Sequence, residues 1–149
     1  MSFERILVAS DFSESAEEAV AVATDLALKF NASLTLLTVW EIPPVSYGAT
    51  LYFPGDIATP IHDAALAALE KAGAALKVKV PGAATLLREG EAWQEILSGA
   101  EAVRADLIVV GTHGRRGLGR AFLGSVAERV VRISKVPVLT VHAAQHKAA

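Results

Sequence analysis

The sequence contains no cysteine, which removes disulfides, thiolate nucleophiles and cysteine metal sites and says nothing more about compartment. It also lacks any run approaching the ~18–20 uninterrupted apolar residues that a membrane-spanning helix requires. That holds although 52% of the residues are hydrophobic and the mean hydropathy is +0.40, because much of the apolar content is alanine. No membrane partner is expected. Aromatic residues are scarce, at 6%, and none interleaves the arginines as a base-stacking platform would require. An excess of either charge is missing as well. Fourteen Lys and Arg stand against 16 Asp and Glu, a net −2, which argues against a protein built mainly to coat nucleic acid. The opening Met1-Ser2-Phe3-Glu4-Arg5 has no basic segment leading into an apolar one and a cleavage site, so the expected location is cytoplasmic. What remains is an apolar-rich chain of 149 residues, too hydrophobic for disorder and long enough for one domain with one core.

Five short apolar runs read as strands: Ile6–Ala9, Ser33–Trp40, Ala84–Leu87, Leu107–Val110 and Val136–Val141. All but the third are continuous rather than alternating, as suits strands covered on both faces of a parallel sheet. Helical spacing fills the gaps. Ala16, Ala19, Val20, Ala23, Leu26, Ala27 and Phe30 form one stripe, with Ser13 as its N-cap and Glu14, Glu17 and Glu18 in the first turns. A second helix is expected from Pro60 to Lys77. A third carries Trp93, Ile96, Leu97, Ala100 and Val103, and a fourth starts at Ser125 and carries Val126, Val130 and Ile133. The order βαβαβαβαβ predicts a single open five-stranded parallel α/β sheet with helices on both faces. The domain core is expected over residues 3–142, with a flexible tail at 143–149. The segment Glu41–Thr59, with Pro43, Pro44, Gly48, Pro54 and Gly55 around Tyr47, Tyr52 and Phe53, is too long for an ordinary connection and reads as a flap or partner-binding loop.

The chemistry concentrates in Gly111-Thr-His-Gly114-Arg-Arg-Gly117-Leu-Gly119-Arg-Ala-Phe-Leu-Gly124-Ser125, between the strongest strand and a helix. Glycines let a backbone approach a ligand closely, and a helix start presents N–H groups and a partial positive charge. Together they form an anion cradle, to which Ser125 adds a hydroxyl and Arg115, Arg116 and Arg120 add charge; phosphate is the obvious guest. No lysine precedes Ser125, so this is not the P-loop pattern, and the glycines follow the fourth strand, unlike the dinucleotide fingerprint. Asp11 ends the first strand. It is placed either to accept hydrogen bonds from ribose hydroxyls or an adenine amine, or to cap the following helix. With strand order 3-2-1-4-5, ligands sit in the crevice between strands one and four. Asp11 and Gly111 then face one pocket, with Val39-Trp40 as its other wall and Trp40 as the residue best placed to report a ligand.

The spacing Gly111-x2-Gly114-x9-Gly124-Ser125 after Leu-Ile-Val-Val resembles the ATP-binding signature of the universal stress protein family. So do the opening Ile-Leu-Val-Ala-Ser-Asp-Phe-Ser and the closing Ser-Val-Ala-Glu-Arg-Val-Val-Arg and Val-Pro-Val-Leu-Thr-Val, and the likeness runs from Phe3 to His142. The resemblance implies a Rossmann-like fold of the adenine nucleotide alpha hydrolase kind, in the ATP-binding branch. Ala9, Ser10 and Asp11 match its first nucleotide-contacting strand end, with Ala9 where the family often has proline. Val39 matches the main-chain position that recognises adenine, and Val110 and Gly111 the floor under ribose and phosphates. Gly114, Gly124, Ser125 and Val126 match the phosphate loop and helix start. The last strand, Val136–Val141, matches the family's homodimer edge, which Pro137 suits because it has no N–H to donate.

The implied role is a cytoplasmic, ATP-binding regulator of stress adaptation, in which nucleotide occupancy, with Mg²⁺ carried on the phosphates, orders the glycine loop and selects a protein partner. Two other classes compete: a slow ATPase or phosphoryl-transfer enzyme, and a nucleotide-free dimeric interaction module using Glu41–Thr59. No general base is aimed at a terminal phosphate. A triad of Ser125, His113 and Asp11 lacks its Gly-x-Ser-x-Gly turn, and His113 is expected on a mobile loop. His62, His113, His142 and His146 have no metal-ligand spacing. Arg115, Arg116, Arg120, Arg129, Arg132 and Lys135 read as phosphate neutralisation plus a solvated helix face rather than a nucleic-acid surface.

Overall fold

The computed structural model describes residues 1–43, 55–113 and 123–143. Five strands and four helices alternate: β1 Arg5–Ala9, α1 Glu14–Phe30, β2 Ser33–Trp40, α2 Ala58–Lys79, β3 Ala84–Glu89, α3 Ala92–Ala102, β4 Leu107–Gly111, α4 Ser125–Ile133 and β5 Val138–Val141. The strands form one parallel sheet, as the alternation of elements predicts, and their order is β3-β2-β1-β4-β5, the expected 3-2-1-4-5.

The continuous apolar runs resolve into two sets by the two-residue period of a strand. Ile6, Val8, Leu34, Leu36, Leu107 and Val109 face one side, against Ala19, Ala23 and Ala27 of α1 and Leu69 and Leu76 of α2. Leu7, Leu37, Ile108 and Val110 face the other, against Ile96 and Ala100 of α3 and Ala127 and Val130 of α4. Alanine on the buried stripe of α1 lets that helix lie close to the central strands. Gly99 does the same for α3, since a Cβ there would run into the Leu37 side chain.

Helix boundaries follow local chemistry. Ser13 is the N-cap of α1, its side chain accepting from the Ala16 N–H, and Asn31 ends the helix with φ at 54°. Helix α2 starts two residues before Pro60. The reason is Asp56, whose carboxylate accepts from the Ala58 N–H at 3.0 Å and the Thr59 N–H at 3.2 Å. Hydrogen bonds from the Thr59 hydroxyl and then its N–H hold the Asp56 carboxyl below its ordinary value of 3.8. Strand β3 runs on to Glu89 because it is an edge strand, where Arg88 and Glu89 keep their ladder positions opposite Val39 and Trp40 while remaining partly in solvent. Strand β5 starts at Val138, later than the expected Val136. The Val136 N–H is taken by the Ser134 hydroxyl at 3.1 Å, and Pro137 enters the ladder only through its carbonyl, which accepts from Ile108.

Leu36 is fully buried at the centre of the α1–α2 face. Leu36→Ala is expected to lower unfolding free energy by about 2–5 kcal/mol, read as an earlier midpoint in urea.

Candidate functional site

Helix α1 packs on one face of the sheet and α4 on the other, on either side of the point where strand order reverses, so the outer ends of β1 and β4 border a crevice. The cleft there encloses about 1080 Å³. Ala9, Ser10 and Asp11 line it from β1, Val39 from β2, Val110 and Gly111 from β4, and Gly124, Ser125 and Val126 from the start of α4. Nine of the residues singled out from the sequence therefore share one space. The remaining two, Gly114 and Arg115, lie outside the described residues, as do Arg116 and Arg120, the 44–54 part of the long loop, and His146 with the tail from 144 onward.

Each lining group has an identifiable local support. The Ser10 N–H donates to the Leu37 carbonyl at 2.9 Å, and the Thr38 hydroxyl donates to the Ser10 carbonyl at 3.2 Å, so the end of β1 is pinned to β2. The chain then turns through Phe12, at φ 64°, with the Phe12 N–H on the Ser10 hydroxyl and the Ser13 N–H on Asp11 Oδ1, each at 3.0 Å. That settles the two roles considered for Asp11 in part. Ser13, not Asp11, caps α1, and the Asp11 carboxylate braces the turn ahead of it while lying on the cleft. Gly111 is dictated by close packing. A Cβ there would stand 2.7 Å from the Ser15 carbonyl carbon and 2.8 Å from the Ala16 nitrogen, both main-chain atoms of α1.

His113 is not carried on a free segment, contrary to expectation. The Ser15 hydroxyl donates to its carbonyl, and its N–H approaches the same Ser15 oxygen at 3.3 Å. The Ser13 hydroxyl also donates to the His113 carbonyl, at 3.3 Å. Gly124 is the N-cap of α4 with φ at −59°, so no unusual backbone angle requires glycine there. Its N–H donates to the Thr112 carbonyl at 2.6 Å, and no side-chain hydrogen bond caps the helix. The helix start therefore offers N–H groups and its dipole to the cleft.

Trp40 does not form the second wall. Side chains alternate along β2, so Val39 turns to the cleft while the Trp40 ring packs edge-on against His62 of α2, centroids 5.3 Å apart. The wall comes instead from α3, through Ala92 and Ile96, with Leu37 beneath. The signal for α3 was available: right-handed crossovers put α3 and α4 on the same face. Trp93 is not among the lining residues; its indole N–H donates to Glu91 at 2.8 Å and the Arg129 guanidinium lies 5.4 Å from its ring centre. Among the described residues no group of three or more His, Asp or Glu side chains is placed to hold a metal ion, and no helix is long and apolar enough to cross a membrane.

The fold and crevice define an open parallel α/β protein of the Rossmann-like kind, with its cleft at the point where strand order reverses. The chain belongs to the universal stress protein family, whose model matches residues 2–142. It is 34% identical to universal stress protein A homolog 1 of Coxiella burnetii over 143 residues, covering 95% of this chain and 97% of the relative. Among solved structures it is similar to the universal stress protein UspA of Lactobacillus plantarum, with a TM-score of 0.81 and 24% identity over 95% of this chain and 99% of that one. It is similar also to a universal stress protein in complex with cAMP, with a TM-score of 0.69 and 27% identity over 97% of this chain and 100% of that one.

Because the Gly111 contact is with main chain, it has little room to relax. Gly111→Ala is expected to cost about 1–3 kcal/mol of stability, measured by urea unfolding in the absence of any ligand.

Proposed function

We propose that this universal stress protein binds ATP in the β1–β4 cleft and acts in the cytoplasm as a nucleotide-dependent regulator of stress adaptation. One observation carries the reading: an apolar wall and a helix start line a single space of nucleotide size. Leu37, Val39, Ile96 and Val110 supply a surface suited to a flat base. Asp11 lies where ribose hydroxyls would meet a carboxylate, and Gly124, Ser125 and Val126 lie where phosphates would meet N–H groups. The cleft's volume of about 1080 Å³ is slightly above the ~1,000 Å³ to which ordinary small-molecule sites run. The cAMP complex of a relative 27% identical supports adenine as the base. The glycine spacing Gly111-x2-Gly114-x9-Gly124-Ser125, with Arg115 inside it, supports a longer phosphate chain than a monophosphate. Mg²⁺ would enter on the phosphate oxygens, keeping much of its water.

Homodimer formation through the outer edge of β5 belongs to the same proposal. Pro137 and Val141 direct their carbonyls to β4, so by alternation the N–H groups of Val138 and Thr140 point away from the sheet. A strand edge of that kind pairs readily with a second copy of itself.

Isothermal titration with ATP, ADP and AMP tests the ligand. Saturable binding is expected, tightest for ATP, with a dissociation constant below about 1 mM; no saturable heat at millimolar ATP overturns the reading. Light scattering tests the assembly. Twice the 15.6 kDa chain mass is expected for the native protein. Thr140→Pro removes only an outward N–H and should shift the population to monomer while leaving the far-ultraviolet circular dichroism unchanged.

A further inference from the structure

Thr112 is 1% exposed and sits immediately beyond β4, where three parts of the molecule meet. Its N–H donates to the Val141 carbonyl at the end of β5, at 2.9 Å. Its carbonyl receives the N–H of Gly124, the N-cap of α4, at 2.6 Å. Its hydroxyl lies 3.0 Å from Nδ1 of His113 and 3.1 Å from Nδ1 of His142. The two rings stand 6.4 Å apart, tilted by 46°. His113 lines the cleft; His142 follows β5 and does not.

A hydroxyl carries one hydrogen and two lone pairs. Both ring contacts form together when the hydroxyl donates to one Nδ1 and accepts from the other, which requires one ring to carry Nδ1–H and the other not. The bridge therefore selects complementary tautomers and holds His113 in one orientation. The same residue holds the start of α4 through its carbonyl. A valine would keep the β-branched shape and both main-chain bonds, yet would turn a methyl group toward two imidazole nitrogens.

From this we propose that Thr112 is a positioning residue for the nucleotide cleft: its hydroxyl, shared between His113 and His142, fixes the end of β4, its carbonyl holds Gly124 at the start of α4 where phosphates would bind, and together they link cleft occupancy to the end of β5. The inference rests on the ATP-binding reading and extends it to a residue that need not touch the ligand. Small displacements of α4 on binding reach Thr112 through the Gly124 contact, and the hydroxyl passes them to His142 on the neighbouring strand.

Three proteins decide it: native, Thr112→Val and Thr112→Ser. Calorimetric titration with ATP is run well below each unfolding midpoint. The valine variant is expected to bind about tenfold more weakly, the effect of losing a hydrogen bond to a buried polar group. The serine variant, which keeps the hydroxyl, should return to within about twofold of native. Histidine-ring carbon–proton spectra supply a readout that general destabilisation does not move. In the native protein, ATP should shift the His142 ring signals as well as those of His113; in the valine variant the His142 shift should vanish. Native-like affinity in the valine variant overturns the inference, as does an equal loss in the serine variant. If the valine variant does not fold, a native His142 signal unmoved at saturating ATP overturns it alone. Failure of the native protein to bind ATP is a different result, because it sinks the proposed function before the variants are compared.

Discussion

The cleft depends on how closely the end of β4 can lie on the first turn of α1. At Gly111 the two main chains are so near that no Cβ fits between them. Two residues on, the hydroxyls of Ser13, the N-cap of α1, and of Ser15 in its first turn both donate to the His113 carbonyl. Ser13 also accepts from the Ala16 N–H, so one side chain caps a helix and anchors a loop stem at once. Its single hydrogen and two lone pairs permit both. Were β4 held farther out, the outer ends of β1 and β4 would open differently, and the start of α4, tied to Thr112, would move with them.

Most of the sheet was legible because buried parallel strands leave a coarse signal. Leu-Ile-Val-Val and Leu-Thr-Leu-Leu are apolar on both faces, and only a doubly covered sheet accommodates both. The strand order does not follow from the alternation of elements; the order 3-2-1-4-5 came with the family resemblance, and it is what puts the ends of β1 and β4 on one crevice. Boundaries were less so. Asp56 extends α2 by two residues through side-chain hydrogen bonds that no hydrophobic period records. Pro137 shortens β5 because a missing N–H matters only once the partner strand is known. Trp40 was misplaced for a related reason. Adjacent strand residues face opposite ways, and assigning Val39 to the cleft sends Trp40 to α2. The anchoring of His113 left no trace in composition, since Ser15 and His113 lie 98 residues apart and meet only through the topology.

Electrostatics in the cleft sharpen what it would accept. Among the described lining residues, Asp11, Glu41 and Glu128 are acidic and none is lysine or arginine. The two arginines of α4 are both paired, Arg132 with the cleft-lining Glu128 at 3.2 Å and Arg129 with Glu91 at 3.4 Å beside Trp93. These pairs are at the surface and contribute about 0–1 kcal/mol each, so their effect is local neutralisation rather than stability. Attraction for an anion must then come from the peptide N–H groups at the start of α4 that follow Gly124, those of Ser125 and Val126, since the Gly124 N–H is taken by the Thr112 carbonyl, together with the charge that Arg115, Arg116 and Arg120 contribute.

That distribution imposes a direction on a bound nucleotide in the proposed role. Phosphate oxygens gain most beside the uncapped start of α4, where several N–H dipoles converge, and would be repelled near the carboxylate of Asp11. The base gains most on Leu37, Val39, Ile96 and Val110, where burial of a flat surface is not opposed by lost hydration of charge. Asp11 lies on the cleft with one oxygen already held by the Ser13 N–H at 3.0 Å, which keeps the carboxylate oriented and suits it to neutral hydroxyl donors instead. Apolar wall, acid and helix start thus each favour a different part of one molecule. Only one orientation satisfies all three, so the polarity of binding follows from the order in which β2, β1 and α4 border the crevice.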